Sequence, residues 1–180
     1  MPPICSLNLI RGPERQAFVN GAVHWFAFRG TSGVKLDPFV LVFDLGDEVL
    51  RKIPLPKLPD YNPQECWNQL CAYGNSIAYF QTEFVVSRHL DIWVMKEYGV
   101  ASSWTKVFTF ACQFRVLPRG PPTLLQMGPA LPPIPSAIGF KRNGKVMLEM
   151  GIGNLTSQDL ETQEKKYHRI TSYSGAELCC

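Results

Sequence analysis

Hydrophobic residues in this chain occur in short runs separated by tight turns, and one two-part pattern occurs three times. The first part is an Asn-Gly or Gly-Asn dipeptide followed by an apolar run. The second part is an apolar run that contains an Asp, then a charged turn and another run typical of a strand. The three units are residues 20–53, 74–108 and 143–170. Because each unit predicts two hairpins, the pattern indicates a modular all-β array.

The apolar runs are rich in Val, Ile, Phe, Tyr and Trp and are bounded by Gly, Asn, Asp or Pro, which favours strands over helices. Fifteen prolines and fourteen glycines further disfavour long helices. The predicted strands are residues 16–19, 22–28, 39–44, 49–54, 68–73, 76–81, 90–96, 104–109, 137–141, 145–150, 155–159 and 165–171.

The repeat interval indicates the kind of array. It is 55 residues from Asn20 to Asn75 and 68 residues from Asn75 to Asn143. The longer interval contains residues 117–135, which hold seven of the fifteen prolines and are predicted to form an extended loop. Without this segment the interval approaches the roughly 50 residues of a kelch-like, four-stranded blade. We therefore predict an all-β fold, a partial kelch-like β-propeller of about three four-stranded blades.

Within this fold, residues 1–16 are expected to be a lead-in, residues 17–171 the propeller-like domain and residues 172–180 a loose tail. The longest uninterrupted apolar stretch, residues 39–43, is far shorter than the ~20 residues that span a bilayer, so no membrane partner is predicted.

Charge and cysteine content narrow the partners and the compartment. Eighteen basic and fifteen acidic residues give a formal net charge of +3, and the basic residues are scattered, so no nucleic-acid partner is predicted. Six cysteines lack a regular disulfide spacing, and the N-terminus lacks an export pattern. We expect reduced thiols and a cytoplasmic or nuclear location, or both.

The loops are the predicted binding surface, because a rigid sheet scaffold presents them to partners. Residues 117–135 are apolar and proline-rich, so they lose little conformational entropy on a partner; the alternative is that they pack over the edge of their own propeller. Trp25, Trp93 and Trp104 are expected to pack between blades. The candidate partner-binding residues are Trp67, Leu124, Leu125, Met127, Leu131 and Ile134.

No catalytic residue, cofactor or metal is predicted. The chain contains no nucleophile elbow, P-loop or zinc-protease motif, and its histidines and cysteines lack metal-ligand spacing. Asp44, Asp91 and Asp159 recur in the three units. They would form either a ring of carboxylates near one mouth of the propeller or, as we expect, acceptors for neighbouring turn amides. His24 is expected to be a half-buried strand residue.

Several longer phrases resemble the F-box-associated domain of plant F-box proteins. They are VNGAVHWFAFRG, LVFDLGDEVLRKIPLP, YGNSIAYF and LDIWVMKEYGVASSWTKVFTF, and GFKRNGKVMLEM and QDLETQEKKYHRI continue the pattern. The resemblance covers roughly residues 17–170, and DIWVMKEYGVASSWTKVF is its most specific phrase.

The resemblance implies a protein-binding module rather than an enzyme. In that family a helical F-box docks on a Skp-family adaptor of a cullin-based ubiquitin ligase, and the propeller captures a protein substrate for degradation. Residues 1–16 are too few for a helical bundle, so we expect adaptor binding only if an F-box is supplied. About three blades also predict a fragment with two uncovered apolar end faces. The alternatives are a propeller-based enzyme that acts on glycans, or a truncated remnant without function.

Overall fold

The fold is nearly all-β. The computed structural model describes residues 7–9, 16–29, 37–58, 62, 65–85, 88–111, 134–150 and 154–169. Within these residues three antiparallel sheets follow one another along the chain, and the helical structure is a single 3-10 turn, Ala101–Ser103. The predicted fold class, a partial propeller of three sheets, is confirmed.

Thirteen strands form the three sheets of the described residues. Each of the twelve predicted strands is present, with bounds that differ from the prediction by at most two residues over the described positions. Sheet 1 contains β1 Leu7–Leu9, β2 Ala17–Val19, β3 Ala22–Arg29, β4 Asp37–Asp44 and β5 Val49–Pro54; sheet 2 contains β6 Cys66–Tyr73, β7 Ser76–Glu83, β8 His89–Met95 and β9 Trp104–Ala111; sheet 3 contains β10 Ser136–Phe140, β11 Val146–Glu149, β12 Asn154–Gln158 and β13 Lys165–Arg169.

The first strand of sheet 1 is interrupted. β2 pairs with the Ala22–His24 half of β3, and β1 pairs with the Ala27–Arg29 half. β1 and β2 therefore share one edge of β3, and sheet 1 is a four-stranded blade with a broken first strand. The sequence pattern does not predict β1, because three residues are too few to show alternation.

Sheets 1 and 2 pack face to face through one hydrophobic cluster. Alternate residues of β3 and β4 point toward sheet 2, as expected for side chains that alternate between the two faces of a strand. The ring of Phe26 stacks on Tyr79 at 6.0 Å. The cluster is formed by Ala17, Val19, Ala22, Phe26, Val40, Val42, Ile53, Leu70, Ile77, Tyr79, Met95 and Trp104.

Hydrogen bonds also join sheets 1 and 2. The indole of Trp104 donates to the carbonyl oxygen of Pro54 at 3.0 Å, and Asn20 Nδ2 donates to the carbonyl oxygen of Asn75 at 2.9 Å. His24 is completely buried and contacts Tyr98, so the expectation of a half-buried side chain is wrong. Its burial results from the neighbouring sheet, which the local pattern around residue 24 does not reveal.

Sheets 2 and 3 pack through a second cluster. Phe80, Leu90 and Ile92 of sheet 2 contact Ala137, Val146 and Leu148 of sheet 3. Sheet 2 is thus covered on both faces, and every residue of β7 is buried.

The two outer faces of this stack differ in polarity. On sheet 1, Phe18 and Leu50 are 62% and 61% exposed and lie on the face that points away from sheet 2. On sheet 3, the face that points away from sheet 2 is mixed, since it includes the apolar Met147 and Leu155 as well as Lys166. The expectation of an apolar end face therefore holds for sheet 1, whereas the described end face of sheet 3 is partly polar. None of the described segments is a helix of sufficient length and hydropathy to span a membrane.

Candidate functional site

Trp67 lies at one end of sheet 2 with most of its side chain in solvent. It is the second residue of β6, opposite Thr82 of β7, and it is 69% exposed. Its ring lies 5.1 Å from that of Phe84, and Val85 is also exposed. We refer to Trp67, Phe84 and Val85 as the Trp67 shelf.

Two of the other three tryptophans pack between sheets, as the sequence predicts, whereas Trp25 lies on the face of sheet 1 that points away from sheet 2. Trp104 is buried between sheets 1 and 2, and Trp93 packs against the same cluster. Trp25 is half-buried and donates from its indole to Gln16 Oε1 at 3.1 Å. Of the four tryptophans, Trp67 alone is left largely accessible to a partner.

A buried carboxylate holds the segment that carries Phe84 and Val85. Glu83 Oε1 accepts a hydrogen bond of 2.7 Å from the backbone N–H of Val85, and Oε2 accepts one of 2.9 Å from that of Arg88. Arg88 has a positive φ of 44°, which turns the chain back toward β8. Bonds to an ionised acceptor are stronger than neutral ones, so Glu83 fixes the shelf relative to the sheet. Sequence reasoning missed Glu83, although a charged residue at the end of the otherwise uncharged run SIAYFQTE was visible.

The proposed partner-binding residues fall in two groups. Ile134 lies two residues before β10 and packs against the cluster between sheets 2 and 3. β10 contacts β6, so Ile134 precedes a strand that neighbours the one carrying Trp67. Leu124, Leu125, Met127 and Leu131 lie outside the described residues.

The three recurring aspartates do not occupy equivalent positions. Asp44 accepts hydrogen bonds from the backbone N–H groups of Gly46 and Asp47, and Asp159 accepts from those of Glu161 and Thr162. These turn amides lower the pKa of both carboxyls. The turn-acceptor role is therefore confirmed for two of the three.

Asp91 has a different environment, and the prediction of a turn role for it is wrong. It lies inside β8, is almost fully buried, and accepts hydrogen bonds from Lys106 Nζ and, at 2.6 Å, from Thr109 Oγ1. All three carboxylates are thus engaged by hydrogen-bond donors.

The described cysteines are free thiols, Cys66 buried and Cys71 half-buried. Cys66 and Cys71 are separated by an odd number of positions along β6, so their side chains lie on opposite faces of sheet 2. Burial raises the pKa of Cys66, and it raises the pKa of Cys71 to about 12. Both are protonated near neutral pH. Over the described ranges, no group of three or more His, Cys, Asp or Glu side chains is arranged to hold a metal ion.

Comparison with known proteins identifies relatives of this chain. The profile of the F-box associated beta propeller domain matches residues 5–126. The chain is 37% identical over 112 residues to F-box protein At3g07870 of Arabidopsis thaliana, an alignment that covers 58% of this chain and 23% of the relative. It is 36% identical over 94 residues to F-box protein CPR1 of the same plant, which covers 50% of this chain and 20% of that protein. The chain therefore spans about a fifth to a quarter of these relatives, and no solved structure matches it.

Proposed function

Because this chain belongs to the F-box-associated β-propeller domain family, we propose that it is a protein-recognition module that selects substrates for a cullin-type ubiquitin ligase. In this proposal the sheets provide a rigid support, and contact with the substrate is made by side chains at the loop ends. The ligase, and not this chain, supplies the chemistry of ubiquitin transfer.

The observation that carries the proposal is the Trp67 shelf. Trp is among the residues most enriched at binding hot spots, which combine a rigid aromatic surface with a low entropic cost of ordering. The shelf is held by the two hydrogen bonds of Glu83, so its geometry is set before a partner binds. An exposed Trp at the end of a strand, beside a half-buried Phe on a fixed loop, is well suited to protein contact.

The side chains that could act as an acid, a base or a nucleophile either accept hydrogen bonds from neighbours or are held protonated. Asp44, Asp91 and Asp159 accept hydrogen bonds from neighbours, and the thiols of Cys66 and Cys71 are held protonated by burial. Binding is therefore a better account of the described residues than catalysis. Their structure consists of strands and one 3-10 turn, so we expect them to contact the substrate and not the ligase adaptor.

The first experiment asks whether the shelf captures a protein. The tagged chain is expressed in plant cells with a proteasome inhibitor and crosslinked, and its partners are compared with those of Trp67→Ala and of Tyr167→Ala. Tyr167 is 72% exposed on the outer strand of sheet 3, so its truncation is the matched control for the loss of an exposed aromatic. We expect a set of proteins that is lost with Trp67→Ala and kept with Tyr167→Ala.

The second experiment asks whether capture leads to degradation. The chain is fused to an F-box helical bundle, and the half-life of each captured protein is measured with and without proteasome inhibition. A half-life that shortens with the fusion, and not with its Trp67→Ala form, supports the proposal. A captured protein whose half-life the fusion leaves unchanged would contradict the role in degradation.

A further inference from the structure

Sheet 3 contains a cavity of about 290 Å³ between its two hairpin turns. In the first turn, Lys141 N–H donates to the carbonyl oxygen of Lys145 at 2.8 Å; in the second, Asp159 N–H donates to that of Glu164 at 3.0 Å. Gly144, with φ of 80°, allows the first turn to be tight. The cavity is just below the size range of small-molecule pockets, so it suits one charged group better than a cofactor.

Positive charge dominates the lining of this cavity. Four lysines line it, Lys141, Lys145, Lys165 and Lys166, with Glu164 as the one acidic lining residue. Even when Asp159, which pairs with Lys145 at 3.3 Å, is set against them, two positive charges remain in excess.

The excess positive charge is carried by cavity lysines that form no ion pair with a carboxylate of the described residues. Lys145 is paired with Asp159, and the ammonium of Lys165 lies over the ring of Phe110 at 5.3 Å. Among the described residues, neither Lys141 nor Lys166 has a carboxylate within ion-pair distance, although both are exposed at the cavity. Two unpaired ammonium groups at one cavity favour an anion.

A buried polar side chain completes the cavity. Ser157, 3% exposed, lines it, and its hydroxyl shares a hydrogen bond of 2.9 Å with Nε2 of His168. At the corresponding position of sheet 1, the residue two before the aspartate is Val42, which packs in the core against sheet 2. At this position sheet 3 thus has a polar side chain where sheet 1 has an apolar one.

From this arrangement we propose that the cavity binds a doubly charged anionic group, a phosphate or paired carboxylates, on an extended segment of the protein partner. The inference rests on the proposed function, since it names the chemistry of the recognised protein. A nucleic acid is not favoured, because a polyanion requires a continuous basic surface and the net charge of the whole chain is only +3.

The test is fluorescence anisotropy with the full chain and three labelled peptides. The peptides have the same sequence except at the central position, which is phosphoserine, Asp-Asp or Ser. Inorganic phosphate and a short single-stranded RNA are the competitors. Lys141→Gln with Lys166→Gln removes the unpaired charges. Lys57→Gln with Lys96→Gln is the matched control, since these lysines are exposed, lie outside the cavity and change the net charge equally.

We expect the phosphoserine or Asp-Asp peptide to bind and the Ser peptide not to bind. The cavity double variant should weaken binding roughly tenfold, since it removes charge-assisted hydrogen bonds, and the control by less than about twofold. A preference between the two acidic peptides identifies the source of the anion. The inference is overturned if no peptide binds, if both double variants weaken binding equally, or if RNA binds as well as the peptides.

Its failure is distinguishable from that of the proposed function. If Trp67-dependent capture and degradation persist while the cavity variant changes nothing, only the anion site is wrong. If the acidic peptides bind at the cavity but no cellular protein depends on Trp67, the role of the shelf in substrate recognition is wrong.

Discussion

The hydroxyl of Tyr98 donates a hydrogen bond of 2.9 Å to Nε2 of His24, and this bond joins sheet 2 to sheet 1. The direction of this hydrogen bond follows from the protonation of the two ring nitrogens of His24. Nδ1 lies 3.1 Å from the carbonyl oxygen of Ala17, which can only accept, so Nδ1 carries a proton. Burial lowers the pKa of His24 and favours the neutral ring, in which Nε2 is the acceptor. Both ring nitrogens are thus bonded within the protein.

Replacing Tyr98 by Phe should destabilise the fold by about 1–3 kcal/mol, because the buried Nε2 of His24 loses its donor. Tyr167→Phe is the control, since Tyr167 is exposed and its hydroxyl is in solvent; we expect a change within about 0.5 kcal/mol. Urea unfolding measures both. Equal stability of the two variants would show that the bond does not hold the sheets together.

His24 should also make the stability depend on pH. Burial lowers the pKa of His24 below its ordinary value of 6.5, so the unfolded chain binds a proton that the folded chain does not. The stability is fully present above about pH 6.5 and declines as the pH falls toward the lower folded pKa. We expect the urea concentration at the midpoint of unfolding to decrease when the pH is lowered from neutral to mildly acidic. The decrease should be smaller in His24→Gln.

His168→Gln provides the comparison for that measurement, because the same substitution is made at a different site. If His24→Gln and the native chain lose stability to the same extent on acidification, His24 is not the group responsible.

Glu83→Gln should loosen the Trp67 shelf while leaving the sheets folded. An amide keeps one acceptor oxygen but presents N–H donors to the second backbone N–H group, so one of the two bonds to Val85 and Arg88 is lost. Loss of a bond to a charged group corresponds to roughly tenfold faster amide exchange or more at these positions. Hydrogen exchange measures it, with Glu97→Gln, an exposed glutamate between β8 and β9, as control. Unchanged protection of both amides would contradict the holding role of Glu83.

Gly21→Ala should cost about 1–2 kcal/mol through the backbone alone. Gly21 has φ of 73°, and a Cβ placed there meets nothing within 4 Å, so strain and not a clash causes the loss. Gly46→Ala is the matched control: its φ is outside the strained range, and its Cβ would make an ordinary contact of 3.5 Å with Asp44. Thermal unfolding compares them, and a larger effect at Gly46 would refute the argument from backbone strain.

How far the sequence predicts the site depends on the range of the interactions involved. The exposed position of Trp67 could be suspected from its place at the end of a loop, and the turn roles of Asp44 and Asp159 follow from residues two and three positions away. The role of Asp91 depends on partners 15 and 18 residues away on the next strand. The partners of Glu83 are only two and five residues away, but they lie in a turn without an Asn-Gly or Gly-Asn dipeptide. The lysines of the cavity are likewise scattered over two hairpins.

The sequence by itself determined the local structure of this protein. Asn-Gly and Gly-Asn turns and alternating apolar residues act over a few positions, so they were sufficient to place twelve strands in three units. Only the tertiary structure decided which side chains are buried and which are available. His24 and Tyr98, and Trp104 and Pro54, are 74 and 50 residues apart, and such pairs are set by how one sheet packs on the next. The accessible Trp67 and the lysines at the hairpin turns of sheet 3 are what that packing leaves at the surface.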